Sequence, residues 1–321
     1  MIEMEPARIL LTGAGGFVGR LLIPVLSQAF PSAHVTALLR EAPLNGSSAV
    51  STGVTYKKFD LLSDDMSALV SETAPDVVVH LAAISSVQQS LGTGGTAFDE
   101  NLTAGLMLIR ALNEQAPNAA VVYASSGEVY GRSFLNAPIA NELTPVFPNN
   151  PYARSKLALE YAFQDMFCGK GRAVALRLFN HFGVGQDERF ALASFAAQCR
   201  AVKAGLQTSI RVGNLAAKRD FLPVADILPA YISAIKYVLA SANGSFDVFN
   251  IASGVPRSIE SVLADLIKFS GISVKTEEDA SRMRPAEIEI AAGNSHKFTD
   301  ATAWQPQANW DDALRALVTE Q

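Results

Sequence analysis

Tyr152 and Lys156 stand four positions apart in the segment Asn150-Pro-Tyr-Ala-Arg-Ser-Lys156. On a helix, residues at this spacing lie on one face, one turn apart. An ammonium group beside a phenol favours the phenolate, so we expect Lys156 to lower the pKa of Tyr152 from its ordinary value of about 10. Such a tyrosine can give or take the proton of an alcohol or sugar oxygen while a hydride moves at the attached carbon. The pair therefore predicts redox chemistry at a hydroxyl or carbonyl group.

A glycine-rich turn near the start of the chain could bind the nucleotide that this chemistry needs. The turn Gly13-Ala-Gly-Gly-Phe-Val-Gly19 follows Ala7–Thr12, an apolar run typical of a buried parallel strand. Leu21–Phe30 is predicted to be the next helix, with Pro24 tolerated near its start. Glycines let the backbone approach a ligand closely, and the N–H groups at a helix start can hold a diphosphate. A tight turn without a ligand needs the same glycines, but the strand before it and the helix after it favour nucleotide binding.

The residues after the second predicted strand bear on the choice of cofactor. That strand, His34–Arg40, is expected to end beside the adenosine ribose, where an acidic residue suits a 2′-hydroxyl and an arginine suits a 2′-phosphate. The chain has Arg40 followed by Glu41. Arg40 favours NADP(H), while Glu41 keeps NAD(H) open as the alternative. An exposed loop charge is the other interpretation of Arg40.

Length, charge and cysteine content limit the class of protein. The chain has 321 residues, a net charge of −5 and two cysteines, which suits one large or two small domains. The charge gives no indication of nucleic acid or an anionic membrane as a partner, and no apolar run approaches the roughly 18 residues of a membrane span. The first residues lack the features of a signal peptide, and the cysteines have neither disulfide nor metal spacing. We therefore expect a cytoplasmic protein without a metal.

Strands and helices alternate along the chain, which predicts a doubly wound parallel sheet of the Rossmann type with helices on both faces. Further strands are expected at Val54–Phe59, Asp76–Leu81, Ala119–Ser125 and Ala173–Leu178, and helices at Met66–Glu72, Phe98–Glu114 and Tyr152–Phe167. The later elements are expected to form a smaller α/β domain over the carboxyl ends of the strands, where ligands bind in such sheets. We assign residues 1–178 and about 222–252 to the dinucleotide-binding domain, and residues 179–221 and 253–321 to the substrate domain.

Several motifs together resemble the extended short-chain dehydrogenase/reductase family over essentially the whole chain. They are the glycine turn, His80-Leu-Ala-Ala83, Asn101, Ser125-Ser-Gly-Glu-Val-Tyr-Gly131, and Tyr152 with Lys156. Three later segments resemble the branch of the family that acts on GDP-sugars. They are Arg177–Gln186, Val212–Phe221 and Ala280–Glu287.

The resemblance implies roles for three groups of residues. In the catalytic set, Ser126 hydrogen-bonds the substrate C4 oxygen, Tyr152 gives that oxygen a proton, and Lys156 holds the ribose hydroxyls of the cofactor. The cofactor contacts, with Arg40 added from its charge, are Gly13, Gly16, Phe17, Val18, Gly19, Arg40, Asp60, Leu61, Leu81, Ala82, Ala83, Tyr152 and Lys156. The substrate contacts are Ser126, Asn180, Arg219, Arg284 and Glu287. Taken singly, each is also an ordinary turn, cap or surface residue, and Asp60 could cap the next helix.

Glu128 bears on which reaction the resemblance implies. Sugar-nucleotide dehydratases of this superfamily carry a carboxylate two positions before the tyrosine of the Val-Tyr-Gly run, and Glu128 occupies that position. The dehydratase has threonine at the position of Ser126 and tryptophan at the position of Phe221. Both residues of this chain therefore favour a reductase instead. We expect NAD(P)H-dependent reduction of the C4 keto group of GDP-4-keto-6-deoxy-D-mannose to GDP-D-rhamnose, with Glu128 in the catalytic site. The alternatives are 4,6-dehydration of GDP-mannose and C4 reduction to GDP-6-deoxy-D-talose.

A non-catalytic nucleotide sensor would be a different class of protein, and the intact Ser126, Tyr152 and Lys156 argue against it. His181 is expected to be a packing residue and not a base.

The expected partners also follow from the resemblance. Family members usually pair two helices from each subunit in a four-helix bundle, so the resemblance implies a homodimer through the helices predicted at Phe98–Glu114 and Tyr152–Phe167. The other partner is the GDP-linked 4-keto-6-deoxyhexose.

Overall fold

The computed structural model describes residues 5–41, 53–84, 96–166, 171–282 and 288–319. Its main feature is a parallel sheet, built from β1 (Arg8–Thr12), β2 (His34–Leu39), β3 (Val54–Lys58), β4 (Val77–His80), β5 (Ala120–Ser126), β7 (Arg172–Leu178) and β11 (Phe246–Ile251). The seven strands lie in the order β11-β7-β5-β4-β1-β2-β3. The winding reverses between β1 and β4, and in open α/β sheets this reversal opens a crevice at the carboxyl ends of the strands. The predicted fold class is confirmed.

Helices cover both faces of this sheet because successive strand residues point to opposite sides. One face packs against α1 (Phe17–Ala29) and α6 (Val224–Ala240), and the other against α2 (Met66–Thr73), α3 (Thr96–Gln115) and α4 (Pro151–Met166). In β1, Leu11 is buried toward α1 and α6, whereas its neighbour Leu10 is buried toward α2, α3 and α4. None of the helices in the described ranges is long and apolar enough to cross a membrane.

The C-terminal part of the chain forms smaller sheets with their own helices. The additional strands are β6 (Ile139–Ala140), β8 (Asn180–Phe182), β9 (Ser209–Val212), β10 (Lys218–Pro223), β12 (Pro256–Ser258), β13 (Lys275–Glu278) and β14 (Ile290–Gly293). The additional helices are α5 (Ala191–Lys203), α7 (Ile259–Ser270), α8 (His296–Thr302) and α9 (Trp310–Thr319). Strand β6 lies within residues 1–178, which were assigned to the dinucleotide-binding domain, yet it pairs with β14 of the C-terminal part. The chain therefore crosses between the two parts more often than the predicted division allows. That division stays a prediction.

One predicted helix boundary needs correction. Helix α1 begins at Phe17, four residues before the predicted Leu21, and Pro24 therefore lies inside the helix. Gly19 therefore belongs to the first turn of the helix and not to the loop before it. A Cβ at this position would come within 2.2 Å of the Gly13 carbonyl oxygen, so the third glycine permits close packing of helix on turn. The structure describes helix α4 over Pro151–Met166, and the predicted last residue of this helix, Phe167, lies outside the described residues.

Candidate active site

A cleft of 1990 Å³ lies at the carboxyl ends of the strands of the main sheet. Its walls come from the glycine turn, the ends of β2, β4 and β5, the start of α4, and strands β8 and β10 of the C-terminal part. Pockets for one small ligand usually measure about 300–1,000 Å³. The cleft is therefore large enough for two nucleotide-sized molecules side by side.

The glycine turn forms one end of this cleft. Gly13 has a φ of +72°, and a Cβ there would come within 2.7 Å of the Ala82 backbone nitrogen. Gly16 is the N-cap of α1, and no side chain among the described residues caps that helix start. Free N–H groups and the helix dipole at such a start favour an anion. The turn thus fits the diphosphate of a dinucleotide, and Phe17 and Val18 line the same end.

The predicted adenosine contacts lie along the adjoining wall. Arg40 follows β2, has a side chain that is 72% exposed, and pairs with Glu100 at 3.6 Å. Asp60 accepts a hydrogen bond from the Leu62 N–H at 2.9 Å, so its carboxylate also stabilises the local turn. Asp60 and Leu61 line the cleft, as do Leu81, Ala82 and Ala83 after β4. The predicted cofactor residues therefore all line the same cleft.

Tyr152 and Lys156 both lie in the first turns of α4. The helix begins at Pro151, whose ring suits a first helical position, and the Asn150 side chain accepts a hydrogen bond from the Ala153 N–H at 2.8 Å. Lys156 is buried, and its ammonium group donates to the Ala124 carbonyl at 2.7 Å and lies 5.8 Å from the centre of the Tyr152 ring. The strand β5 that supplies Ala124 ends at Ser126, which is hydrogen-bonded to Tyr152. The three predicted catalytic side chains therefore converge.

The pKa of Tyr152 differs from the sequence expectation. Burial raises it to about 12, a hydrogen bond with Ser126 opposes this rise, and the nearby Glu128 adds to it. Burial also lowers the pKa of Lys156 to about 7, although Glu160 favours its charged form. The expectation that Lys156 lowers the pKa of Tyr152 was wrong, because burial of the phenol is the largest influence on that pKa and raises it. Tyr152 is thus protonated at neutral pH, which suits a proton donor.

Glu128 lies in the same cleft, in a 3₁₀ turn formed by Gly127–Tyr130. Its N–H donates to the Ser126 Oγ at 3.2 Å, and its carboxylate accepts from the Asn150 side chain at 3.3 Å. The carboxylate is close enough to Tyr152 to raise the pKa of that phenol. Glu128 is therefore near enough to act on the same substrate as Tyr152.

A buried ion pair behind the catalytic residues was not predicted. Glu160 accepts from the Arg177 guanidinium at 2.7 and 3.1 Å and also accepts from the Ser125 hydroxyl. Arg177 donates in turn to the Tyr130 hydroxyl at 3.0 Å. The sequence carried a weak signal: a carboxylate one turn after Lys156 and an arginine within an otherwise apolar strand. The pair joins α4, the end of β5 and the 3₁₀ turn of Glu128.

Two of the predicted substrate residues, Asn180 and Arg219, lie on strands β8 and β10 of the C-terminal part. The Asn180 amide donates to the Asp220 carbonyl at 3.2 Å, and the Arg219 guanidinium donates to the carbonyls of Lys218 and Ile288 at 2.8 and 3.2 Å. Both residues line the cleft.

Four further residues bear on the predicted substrate site. Arg284 and Glu287 lie outside the described residues. Arg282, which was not singled out, lines the cleft and donates to the Ser194 hydroxyl at 3.0 Å. His181 stacks on Phe17 with ring centres 6.2 Å apart, and burial lowers its pKa, which suits a packing role.

This structure has a parallel sheet with a glycine turn, and serine, tyrosine and lysine lie together at its strand ends. This arrangement defines the extended short-chain dehydrogenases/reductases. Comparison with known proteins specifies the family. The model of the GDP-mannose 4,6 dehydratase family matches residues 10–317, and the chain belongs to that family.

Individual relatives include both reductases and dehydratases. The GDP-6-deoxy-D-mannose reductase of Pseudomonas aeruginosa is 33% identical over 316 residues, covering 98% of this chain and 96% of the relative. The GDP-mannose 4,6 dehydratase 2 of Arabidopsis thaliana is 29% identical over 253 residues, covering 77% of this chain and 65% of the relative. A solved structure of the protein RMD from Pseudomonas aeruginosa, complexed with NADPH, superposes with a TM-score of 0.79 at 30% identity over 98% of both chains.

Proposed function

We propose that this protein reduces the C4 keto group of GDP-4-keto-6-deoxy-D-mannose to GDP-D-rhamnose with NAD(P)H. The observation that carries the proposal is the convergence of Ser126, Tyr152 and Lys156 beside a glycine turn in a cleft of 1990 Å³. The similarity to the Pseudomonas reductase over nearly the whole of both chains supports the substrate.

The roles of the side chains follow from their protonation and contacts. Tyr152, with its pKa raised to about 12, holds a proton at neutral pH and gives it to the C4 oxygen. Ser126 orients that oxygen through its hydroxyl. Lys156, with a pKa of about 7, gains a proton readily when Tyr152 becomes a phenolate, because the two charges attract each other. NAD(P)H, when bound, supplies the hydride that adds to C4.

NADP(H) is the favoured cofactor. Gly13, Gly16 and the start of α1 would hold its diphosphate, and Lys156 its nicotinamide ribose. Arg40 is the cation at the end of β2, where a 2′-phosphate would lie, and its side chain is exposed enough to reach one. The RMD structure was obtained as a complex with NADPH. Arg40→Ala should therefore weaken binding of NADPH and leave binding of NADH unchanged in fluorescence titrations.

Turnover of enzymatically prepared GDP-4-keto-6-deoxymannose tests the proposal. The absorbance loss of NADPH and of NADH is followed, and the product is identified by NMR. Oxidation of the cofactor with formation of GDP-D-rhamnose supports the reductase. Formation of GDP-6-deoxy-D-talose would keep the reaction and change its stereochemistry. No oxidation with either cofactor would overturn the proposal, and Tyr152→Phe serves as the inactive control.

One observation favours 4,6-dehydration of GDP-mannose as the second candidate. The carboxylate of Glu128 lies close enough to Tyr152 to affect its pKa, and a dehydratase needs such a base for the C5 proton. Incubation with GDP-mannose alone distinguishes the two functions. A dehydratase would form the keto sugar without net loss of cofactor, and Glu128→Gln would abolish that activity.

We infer a homodimer formed through α3 and α4. These helices pack side by side on one face of the main sheet, and the large aromatic side chain of Tyr161 on α4 is 52% exposed. Pairing with a second copy would remove this apolar surface from water. Sedimentation velocity should give a dimer for the wild type and a monomer for Tyr161→Asp. A wild-type monomer at micromolar concentration would overturn the inference.

A further inference from the structure

Tyr231 is a buried tyrosine whose hydroxyl group has no hydrogen-bond partner among the residues that the structure describes. It lies in α6, and its side chain is 0% exposed. Buried tyrosine hydroxyls are nearly always paired, because an unpaired polar group away from water is unfavourable. An exception inside a well-packed core requires an explanation.

The position of Tyr231 supplies one. Although it belongs to the apolar cluster between the sheet and helices α1 and α6, it also lines the cleft. Burial raises its pKa, and the Tyr152 phenol is near enough to raise it further. Ala124 of β5 and Val18 of α1 line the cleft from the same side of the sheet. The Tyr231 ring therefore approaches the region between the glycine turn and Tyr152 from the sheet face that carries α1.

Any dinucleotide whose diphosphate lies at the glycine turn and whose reacting ring lies at Tyr152 must cross this region. The nicotinamide ring carries a carboxamide, which offers both an acceptor and donors to a hydroxyl group. We propose that the Tyr231 hydroxyl hydrogen-bonds the carboxamide of the nicotinamide ring and so positions that ring beside Tyr152. The inference rests on the proposed use of NAD(P)H and adds a positioning residue to it.

A single substitution separates this role from a packing role. Tyr231→Phe removes only the hydroxyl, so the free protein should keep or slightly raise its unfolding midpoint, because an unpaired polar group disappears. The Kd for NADPH, measured by fluorescence titration without substrate, should rise about 3- to 20-fold. The Kd for 2′-phospho-ADP-ribose, which lacks the nicotinamide, should stay unchanged.

Tyr237→Phe is the matched control on the same helix. Its hydroxyl donates to the Asp247 carboxylate at 2.7 Å, so its loss should lower the unfolding midpoint and leave both dissociation constants unchanged. The inference is overturned by an unchanged Kd for NADPH in Tyr231→Phe, by an equal loss of affinity for the fragment, or by a midpoint loss as large as that of Tyr237→Phe. If the wild type binds no NADPH, it is the proposed function that fails.

Discussion

Lys156 should make the stability of this protein depend on pH in a direction that the structure specifies. Its pKa in the folded protein is about 7, against an ordinary value of 10.5. Between these values the unfolded chain binds a proton at Lys156 that the folded protein has released. Stability therefore rises with pH across this window, and the full cost of burying the charge is present only below pH 7.

The magnitude follows from the two pKa values. Raising the pH from 7 to 9 should increase the free energy of unfolding by about 2 kcal/mol through Lys156 alone. Four of the described groups near the amine titrate or carry charge. One is Tyr123, whose ring centre lies 5.1 Å from the amine and whose pKa burial raises well above its ordinary value, so that it titrates above the window. Tyr152, with a pKa of about 12, titrates above the window, and His80, with a pKa lowered to about 3 by burial and by Lys156, titrates below it. Glu160 favours the charged amine, and this influence is already included in the pKa of Lys156.

Urea unfolding of the wild type and of Lys156→Met at pH 7 and pH 9 measures the effect. From pH 7 to pH 9 the free energy of unfolding of the wild type should rise by about 2 kcal/mol more than that of the variant, since methionine at this position has no charge to lose. Lys275→Met, a change at an exposed lysine of β13, is the control and should track the wild type at both pH values. An equal difference between wild type and Lys156→Met at pH 7 and pH 9 would refute the argument that burial governs Lys156.

Three further substitutions test other parts of the structure. Glu160→Gln leaves the buried Arg177 charge without its partner and should lower the free energy of unfolding in urea by about 3–5 kcal/mol. Glu72→Gln removes the carboxylate of the more exposed pair with Lys57 and should lower it by less than about 1 kcal/mol. Gly19→Ala places a Cβ 2.2 Å from a backbone oxygen and should cost about 1–3 kcal/mol in the same assay, together with a raised Kd for NADPH. Asp220→Asn should cost about 1.5–3 kcal/mol by calorimetry, because this buried carboxylate accepts bonds from Ser253, Gly254 and Gly293. A stability equal to that of wild type in any of the three would contradict the contact concerned.

The sequence by itself determined the features that depend on local periodicity. The four-residue spacing of Tyr152 and Lys156 requires a shared helix face, and the glycine turn between an apolar strand and a helix indicates a dinucleotide site. Alternating strands and helices predicted the parallel sheet, which the structure confirms. The shared order of the motifs was enough to indicate the family.

Only the tertiary structure decided the properties that depend on burial and on contacts distant in sequence. The pKa of Tyr152 rises because the folded protein surrounds its phenol, and no spacing in the sequence reports that burial. Glu160 meets Arg177 across 17 positions. The Tyr231 hydroxyl, which has no hydrogen-bond partner among the described residues, is buried only once α6 lies against the sheet. Spacing along a helix is a property of neighbouring residues, whereas desolvation and long-range pairing belong to the packed chain as a whole.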